Sequence, residues 1–379
     1  MPREKMLPFT FIESDADLEH ACARMSQYRI IGVDLEADSM HSFKEKICLI
    51  QIATGDEAFL VDPFFIDDFS PFVKVLENPE IIKVFHGADF DVRSLDREMA
   101  ARITTLFDTE IACRFLNIRE RGLAALLKAF FDLDVDKKFQ KKDWSRRPLE
   151  PDMVAYSVGD VDHLIALHAK LVDRLNAMGR LHWAEEEFEA QANVRYENNH
   201  IPPYFRKIKG AGKLDNRSLA VLENLLILRM ELAEKKDVPL FKVMSSQSLL
   251  AMSTGRPRSV GEMVTQRMLS KRQAQMYGQQ CKQAIEQAMA LPHRDLPAYP
   301  RTVMPRKTPE VMARITALKA MREKQSDFLG MEPGFLINNA TITTLAQENP
   351  ATRADLDAMN LLRNWQKEVL GDPILKTLK

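Results

Sequence analysis

Two carboxylates stand two residues apart near the start of the chain, in the segment 30–36 (IIGVDLE). The apolar residues of this segment are typical of a buried β-strand. Side chains alternate across a strand, so Asp34 and Glu36 emerge on the same face. Two such carboxylates repel each other once they lose water, and a divalent cation with a preference for oxygen ligands, such as Mg²⁺ or Mn²⁺, relieves the repulsion. A strand that ends in an acidic surface turn would show the same pair.

Further groups able to do chemistry follow at two later places. Asp91 comes shortly after a predicted strand, and Tyr156 and Asp160 lie four residues apart, hence on one face of a predicted helix. Four carboxylates from three separate segments are what two divalent ions need, and ions about 3.5–4 Å apart can stabilise the attacking and leaving oxygens of a phosphoryl displacement. Taken one at a time, each group also has a structural interpretation. Asp89 competes with Asp91, either could cap a helix, and Tyr156 could be a half-buried ring.

The elements that must position these groups alternate between strand and helix periodicity. The predicted strands are 30–36, 47–54, 58–61 and 81–85, and the predicted helices are 15–27, 70–77, 89–99, 108–116, 123–131 and one long helix from 151 past 175. Short connections between the first three strands predict an antiparallel meander. Strand followed by helix followed by strand indicates a mixed α/β sheet.

Size and composition limit the class of protein. A chain of 379 residues predicts two or three domains, and 45% hydrophobic with 28% charged residues is typical of soluble globular protein. The sequence has no apolar run of 18 residues and no secretory h-region at its start. Four widely spaced cysteines fit a reducing cytosol. The net charge of −1 gives no sign of a nucleic-acid partner, so any such partner must meet local basic patches.

Two breaks divide the chain. The first lies at Pro202-Pro203 and the glycines at 210 and 212, and the second is a segment with five prolines between residues 292 and 309. Residues 213–292 and 310–379 are helical in period. Each contains a helix that is followed, at similar distance, by a proline-containing turn, around Pro239 in one and Pro333 in the other. The two segments are therefore predicted to be related helical modules, the products of a duplication.

The acidic positions resemble the motifs of a known family. Asp34-x-Glu36, the stretch from His86 to Asp91, and Tyr156-x-x-x-Asp160 are similar to the three motifs of the DEDDy 3′→5′ exonucleases, and within them to the ribonuclease D group. Similar stretches also occur at 47–52, 107–109, 143–149 and 160–164. The resemblance implies a ribonuclease H-like exonuclease domain over 1–205, a mixed sheet flanked by helices. Two all-α HRDC-like domains would follow at 213–292 and 300–379.

The resemblance also implies an activity, which is 3′→5′ exoribonuclease action with release of nucleoside 5′-monophosphates. The implied catalytic residues are Asp34, Glu36, Asp91, Tyr156 and Asp160, and the four acids among them would hold two Mg²⁺ or Mn²⁺ ions. Tyr156 is expected to orient the attacking water, because a phenol with a pKa near 10 is a poor general base at neutral pH. The implied partner is RNA, with transfer RNA precursors as substrates. The protein is expected to be a cytoplasmic monomer that does not bind a membrane.

Positioning groups for the terminal nucleotide are expected around the acidic residues. The candidates are Ala37, Asp38, Gln51, His86, Trp144, Lys138, Arg146 and Arg147. An aromatic ring can stack on any base. A core or hinge position explains Trp144 equally well, and the three basic residues could equally be solvated.

Two other functions remain open from the sequence. The same chemistry could act on DNA, as in proofreading exonucleases, although no polymerase segment follows here. Alternatively, the chain could be a non-catalytic RNA-binding scaffold on an inactive nuclease fold. The complete set of acidic residues argues against the scaffold, and matched RNA and DNA oligonucleotides would distinguish the first two functions.

Overall fold

The computed structural model describes residues 7–135, 138–198, 201–300 and 308–379. Residues 1–6 of the predicted domain 1–205 and residues 301–307 of the predicted domain 300–379 lie outside the described residues. The chain divides into two compact units. The first comprises the described residues of Met1–Glu36, Ile47–Tyr196 and Pro305–Lys379, and the second those of Ala37–Lys46 and Glu197–Met304. None of the described helices is both long and apolar enough to span a membrane.

A mixed sheet forms the centre of the first unit. Its strands among the described residues are β1 (Phe9–Ile12), β2 (Ile30–Ala37), β3 (Ile47–Ala53), β4 (Ala58–Val61), β5 (Ile82–Phe85) and β6 (Leu106–Asp108), in the spatial order β1-β4-β3-β2-β5-β6. The β3–β4 pair is antiparallel, whereas β1–β4, β2–β5 and β5–β6 are parallel. The mixed α/β class is therefore confirmed. Strands β1 and β6 were not predicted from the sequence, where strands of four and three residues carry only a weak periodic signal.

Helices pack around this sheet. They are α1 (Asp15–Met25), α2 (Ser70–Glu77), α3 (Asp89–Met99), α4 (Thr109–Phe115), α5 (Leu123–Phe131), α6 (Pro151–Asp162), α7 (Leu164–Ala177) and α8 (Leu181–Ala192). The start of α1 follows from sequence chemistry, because the Ser14 side chain accepts a hydrogen bond from the Asp17 backbone N–H at 3.2 Å. The α3 and α5 bounds are those predicted.

The long helix predicted from residue 151 past 175 is wrong, because the structure breaks it at His163 into α6 and α7. The residues around this break pack against Gly32 of the central strand. A Cβ added at Gly32 would be 3.0 Å from Leu164 Cβ and 3.3 Å from the Val161 carbonyl oxygen. Both helices bury apolar residues against neighbouring elements, so the helical period continues and does not reveal the break.

Two five-helix modules repeat at an offset of 93 residues. The first comprises α9 (Asn216–Lys236), α10 (Leu240–Val243), α11 (Ser246–Gly255), α12 (Val260–Thr265) and α13 (Lys271–Ala290), and the second α14 (Pro309–Leu329), α15 (Pro333–Leu336), α16 (Asn339–Glu348), α17 (Arg353–Ala358) and α18 (Asn364–Leu378). Arg229 donates to the Met244 carbonyl oxygen at 3.3 Å, and the matching Arg322 donates to the Ile337 carbonyl oxygen at 3.2 Å. The shared offset and the shared contact support the predicted duplication.

The second module packs inside the first unit, against the helices that flank the sheet. Trp365, at the start of α18, is 2% exposed and lies with its ring 5.1 Å from that of Phe115 and 6.1 Å from that of Trp183. Its indole N–H donates to Glu187 at 2.8 Å. Arg180 adds a polar contact, because its guanidinium donates to the Phe115 and Leu329 carbonyl oxygens. Module two and the sheet therefore share one core.

The close approach at Gly32 makes a stability prediction. Gly32→Ala is expected to lower the free energy of unfolding of the first unit by about 1–3 kcal/mol, because the new methyl group overlaps Leu164 and backbone that cannot move freely. Thermal or denaturant unfolding would measure the loss. Gly55→Ala is the matched control, since a Cβ at Gly55 meets nothing within 4 Å. Equal stability of the two variants would contradict the packing described at Gly32.

Candidate active site

The central strand β2 places the first two acidic residues. Its buried side chains are apolar, with Ile31 and Val33 at 0% and Leu35 at 7% exposure. Asp34 and Glu36 alternate with them and share the opposite face, as the strand period predicted. Strands β3 and β5 flank β2 in the sheet, and β5 pairs with β2 at Ile30, Ile31 and Gly32, just before the two carboxylates.

A third carboxylate comes from α6. Ligand oxygens of Asp34, Glu36 and Asp160 all lie within 4.8 Å of one another. Asp160 is 7% exposed, and α6 packs over β3 and β4. Three side chains from two distant segments therefore converge on one point, in a spacing that a metal ion can fill.

Burial dominates the electrostatics of this point. Burial raises the pKa of Asp34 to about 7, against a weaker lowering by the Leu35 backbone hydrogen bond. Burial and then the charge of Asp34 raise the pKa of Asp160 to about 8. The pKa of Glu36 rises most, to about 10, through burial and the neighbouring acidic residues. In the absence of a cation the cluster retains protons at neutral pH, so a cation fits here on electrostatic grounds.

Asp91 belongs to the same electrostatic cluster. It lies on α3, is 6% exposed, and has a pKa raised well above its usual range by burial and then by Asp34. It also contributes to the raised pKa of Glu36. Asp89, which competed for this role in the sequence, is exposed and forms an ion pair with Arg93 at 3.0 Å. Burial and charge thus favour Asp91 independently of the family pattern.

Tyr156 lies one helical turn before Asp160 on α6. Its phenol is hydrogen-bonded to Asp160, and burial followed by the charges of Asp160 and Glu36 raises its pKa. The phenol is consequently protonated throughout the neutral range. In that state it donates a hydrogen bond, and it cannot accept a proton as a general base.

Asp34, Glu36, Asp160 and Tyr156 lie at a cavity of about 310 Å³, whereas Asp91 is not among the residues that line it. Beside the acidic residues and Tyr156, it is lined by His86, Leu35, Gly122, Leu123, Ala124, Val135 and Gln140. Among these residues His86 was predicted from the sequence, whereas the segment 122–124, Val135 and Gln140 were not. The only local signal was Gly122, which lies at the N-terminus of α5. The cavity therefore combines an acidic end with apolar walls, as a site for a nucleotide requires.

A larger cavity of about 580 Å³ lies elsewhere in the first unit. Its charged lining residues include Arg114, Glu332 and Arg363. They are already paired, since Arg114 contacts Glu110 at 2.8 Å, Glu332 contacts Arg121 at 2.8 Å, and Arg363 contacts Glu187 at 3.5 Å. By volume alone the larger cavity would be the candidate active site. The smaller cavity is the better candidate, because its buried carboxylates are not paired with basic residues in the described part of the chain.

The structure corrects the expected role of Trp144. Its side chain is only 1% exposed, and its indole N–H donates to the Phe139 carbonyl oxygen at 3.3 Å. A ring covered on both faces cannot stack on a base, so Trp144 is a core residue. The sequence had left this alternative open.

Two further candidates are engaged in internal contacts. Arg147 donates to the Asp62 carboxylate and, at 2.7 Å, to the Cys48 carbonyl oxygen, so its guanidinium is not available for phosphate. Asp38 is fully buried and accepts hydrogen bonds from Ser42 Oγ at 2.5 Å and from the Lys46 backbone N–H at 2.8 Å. Both residues stabilise loops, which corrects their expected role as substrate contacts.

The remaining candidates differ in accessibility. Gln51 on β3 is fully buried, and neither of its amide atoms has a hydrogen-bond partner within the part of the chain that the structure describes. Ala37 is the half-buried last residue of β2. The side chains of Lys138 and Arg146 are 54% and 83% exposed, although Asp152 lies 4.0 Å from Lys138 and Asp143 lies 3.1 Å from Arg146. Only His86 lines the cavity directly.

Comparisons with known proteins match this arrangement. The family model of a 3′-5′ exonuclease matches residues 9–176, and that of the HRDC domain matches 218–285 and 311–378. The chain is 30% identical over 293 residues to ribonuclease D of Zymomonas mobilis, covering 76% of this chain and 74% of the relative. It is 26% identical over 370 residues to ribonuclease D of Pseudomonas paraeruginosa, covering 97% of each.

Solved structures agree. The crystal structure of Escherichia coli RNase D superposes with a TM-score of 0.75 at 25% identity and covers 98% of this chain and 99% of that one. The catalytic core of RRP6 from Trypanosoma brucei superposes with a TM-score of 0.66 at 29% identity, covering 75% and 81%. The fold and the acidic cavity define a 3′→5′ exonuclease followed by HRDC domains. The chain belongs to the ribonuclease D family and is a 3′→5′ exoribonuclease.

The raised pKa of Glu36 predicts a pH-dependent stability. An unfolded Glu has a pKa of about 4.3, whereas the folded protein holds Glu36 at about 10. The folded state therefore binds more protons between these values, and without metal its stability must fall as pH rises. Glu36→Gln is expected to stabilise the metal-free protein at pH 8 by at least about 1.4 kcal/mol, the equivalent of one pH unit, and to change little near pH 4.

Thermal unfolding in EDTA across pH 4–9 would measure this effect. Added Mg²⁺ or Mn²⁺ is expected to stabilise the wild type at pH 8 more than Glu36→Gln, because the cation replaces the missing positive charge. Asp89→Asn serves as the control, since Asp89 is exposed and ion-paired. Parallel pH profiles for the wild type and Glu36→Gln would contradict the electrostatics of the cluster.

Proposed function

We propose that the chain hydrolyses the 3′-terminal phosphodiester of RNA with divalent cations and releases nucleoside 5′-monophosphates one at a time. The observation that carries the proposal is the convergence of Asp34, Glu36 and Asp160 within 4.8 Å at the end of a nucleotide-sized cavity. In the reaction, water adds to the phosphorus and the bond to the 3′-oxygen breaks. The products are a 5′-monophosphate and a shortened chain with a free 3′-hydroxyl.

The four acidic residues are proposed to hold two Mg²⁺ or Mn²⁺ ions. Carboxylate oxygens are the ligands that these cations prefer. Asp34, Glu36 and Asp160 share one ligand cluster, and the charge of Asp34 acts on Asp91, which makes Asp91 the natural ligand of a second position. When bound, such ions lower the pKa of water and stabilise charge on the leaving oxygen.

The residues of the chain contribute to the reaction in two ways: they position the attacking water, and they exclude other waters from the site. Tyr156 remains protonated and hydrogen-bonded to Asp160, so its phenol can hold the attacking water in place next to the scissile phosphate. The apolar wall residues Leu35, Leu123 and Val135 reduce the number of other waters that reach the phosphate. Correct placement of the reacting atoms alone lowers a barrier substantially.

Structured RNAs, including transfer RNA precursors, are the proposed substrates. The Escherichia coli RNase D structure is described as that of an exoribonuclease involved in structured RNA processing, and the chain covers 99% of it. The first module adds charge in support, since residues 213–292 contain 12 Lys and Arg against 7 Asp and Glu. DNA hydrolysis and a non-catalytic scaffold are the alternatives that the experiment below must exclude.

The proposed domain organisation is an exonuclease domain over 1–205 and HRDC domains over 213–292 and 300–379. The matched ranges 9–176, 218–285 and 311–378 fall inside these bounds. We further propose that the protein works in the cytoplasm as a monomer. All four cysteines are buried and free, which is compatible with a reducing compartment.

Digestion of one RNA labelled at either its 5′ or its 3′ end tests the function. With Mg²⁺ or Mn²⁺, the 3′ label is expected to appear at once as a mononucleotide, while the 5′-labelled RNA shortens stepwise, and EDTA should stop both. Asp91→Asn is expected to lower activity at least about 100-fold, since it removes a metal ligand. Asp89→Asn, on the same helix, is the matched control. Release of 5′-terminal products, activity in EDTA, or equal activity of the two variants would contradict the proposal.

The proposed role of Tyr156 makes a separate prediction. Tyr156→Phe is expected to lower kcat by about 10–100-fold, because the water loses one positioning hydrogen bond. The shape of the pH–rate profile should stay the same, since the phenol does not titrate in the accessible range. Steady-state kinetics from pH 6 to 10 would show both effects. Loss of a basic limb in the variant would instead assign Tyr156 the role of a general base.

A further inference from the structure

His86 contributes an imidazole to the wall of the catalytic cavity. The residue follows β5 directly, and its Nδ1 lies 2.8 Å from the side-chain oxygen of Thr109. Thr109 is fully buried as the first residue of α4. One edge of the ring is therefore fixed to the protein interior, which leaves the other edge, with Nε2, to face the cavity.

The direction of this hydrogen bond can be deduced from the next one. The Thr109 hydroxyl donates to the Phe85 carbonyl oxygen at 3.1 Å, and a carbonyl oxygen can only accept. A hydroxyl has a single proton, so the Thr109 oxygen must accept from His86. The Nδ1 atom consequently carries a proton and acts as the donor.

The remaining ring nitrogen is then an acceptor. A neutral imidazole has only one N–H, and burial lowers the pKa of His86 despite the opposing charges of Asp108 and Glu110. With the proton fixed on Nδ1, Nε2 presents a lone pair to the cavity. Within the part of the chain that the structure describes, no donor is hydrogen-bonded to Nε2. The cavity thus contains a preformed acceptor next to the acidic cluster.

The chemistry of an RNA 3′ end limits what this acceptor can bind. Phosphate oxygens are themselves acceptors, so Nε2 cannot bind them. Base amino groups are donors, but they change with sequence and are absent from uracil. The 2′-hydroxyl of ribose is a donor at every nucleotide, whereas a free 3′-hydroxyl occurs only at the terminus. The 2′-hydroxyl is also the group that distinguishes RNA from DNA.

We propose that Nε2 of His86 accepts a hydrogen bond from the 2′-hydroxyl of a ribose that flanks the scissile phosphodiester, and that this contact makes the site prefer RNA. The inference rests on the proposed function, since it requires the 3′-terminal nucleotides to occupy this cavity. Thr109 is a positioning residue in this arrangement, because it acts only by fixing the proton on Nδ1.

Substrates that differ in one hydroxyl test the proposal. Four forms of one RNA are compared. One has ribose throughout, two have 2′-deoxyribose at either the last or the next-to-last nucleotide, and one has a 3′-deoxy terminus that keeps the 2′-hydroxyl. For the wild type, kcat/KM is expected to fall about tenfold with 2′-deoxyribose at one of the flanking positions, the discrimination of one hydrogen bond. A 2′-deoxyribose four nucleotides upstream is the control and should have no effect.

Two variants connect the discrimination to the ring. His86→Phe is expected to bring the ribose to deoxyribose ratio of kcat/KM close to one. Thr109→Val keeps the imidazole but removes the acceptor that fixes the proton on Nδ1, so either ring nitrogen can carry the proton. The ratio should therefore fall to an intermediate value. Thermal unfolding confirms that each variant is folded, and the ratio is independent of the amount of active enzyme.

Several outcomes would overturn the inference while the proposed function stands. They are a wild-type ratio of one, an unchanged ratio in His86→Phe, or discrimination against the 3′-deoxy terminus only. In His86→Phe, an equal loss of kcat/KM on all substrates together with a raised Mg²⁺ requirement would indicate that Nε2 binds a cation. That result would also overturn the inference. A wild type that degrades none of the RNAs with Mg²⁺ or Mn²⁺ would overturn both the function and the inference.

Discussion

The burial of several carboxylates at one point is the constraint on which this structure depends. Asp34, Glu36 and Asp160 are brought together at one buried point, and their pKa values rise through burial and, for Glu36 and Asp160, through the charges of neighbouring acidic residues. A chain that only had to fold would avoid such a cluster, because each buried charge costs free energy. The surrounding architecture therefore serves to hold the repelling groups in position until a cation neutralises them.

That architecture uses a different element for each group. A central strand supplies two carboxylates, the helix after β5 supplies Asp91, and a helix packed over the sheet supplies Asp160. The position of the last depends on how closely α6 and α7 approach β2, and Gly32 permits that approach because it has no side chain. A residue with no chemistry of its own thus helps to set the distance between groups that have it.

The sequence predicted those features of the site that depend on short-range geometry. The strand period placed Asp34 and Glu36 on one face, and helical spacing placed Tyr156 beside Asp160. Tertiary features escaped prediction. The break at His163 leaves no mark on the hydrophobic period, and the wall residues Val135 and Gln140 lie in a segment without secondary-structure signals.

Basic and aromatic residues were the least predictable from sequence. Trp144 and Arg147 have the types that contact nucleic acid, yet one is a core residue and the other is bonded to Asp62. Residue type does not reveal whether a side chain is already engaged within the fold, because that depends on long-range packing. Resemblance to a family settled Asp91 over Asp89 in the sequence, and burial and ion pairing favour the same choice independently.

The 93-residue repeat gives one structural position two opposite characters. Trp365 on α18 corresponds to Arg272 on α13, which is exposed. In the second module this position is a buried aromatic residue that packs against the exonuclease domain, and in the first module it is an exposed charged residue. The two modules share an element order but differ in what surrounds this position. One module buries this position in the core of the first unit and the other exposes it, so the two modules do not offer the same surface to a partner.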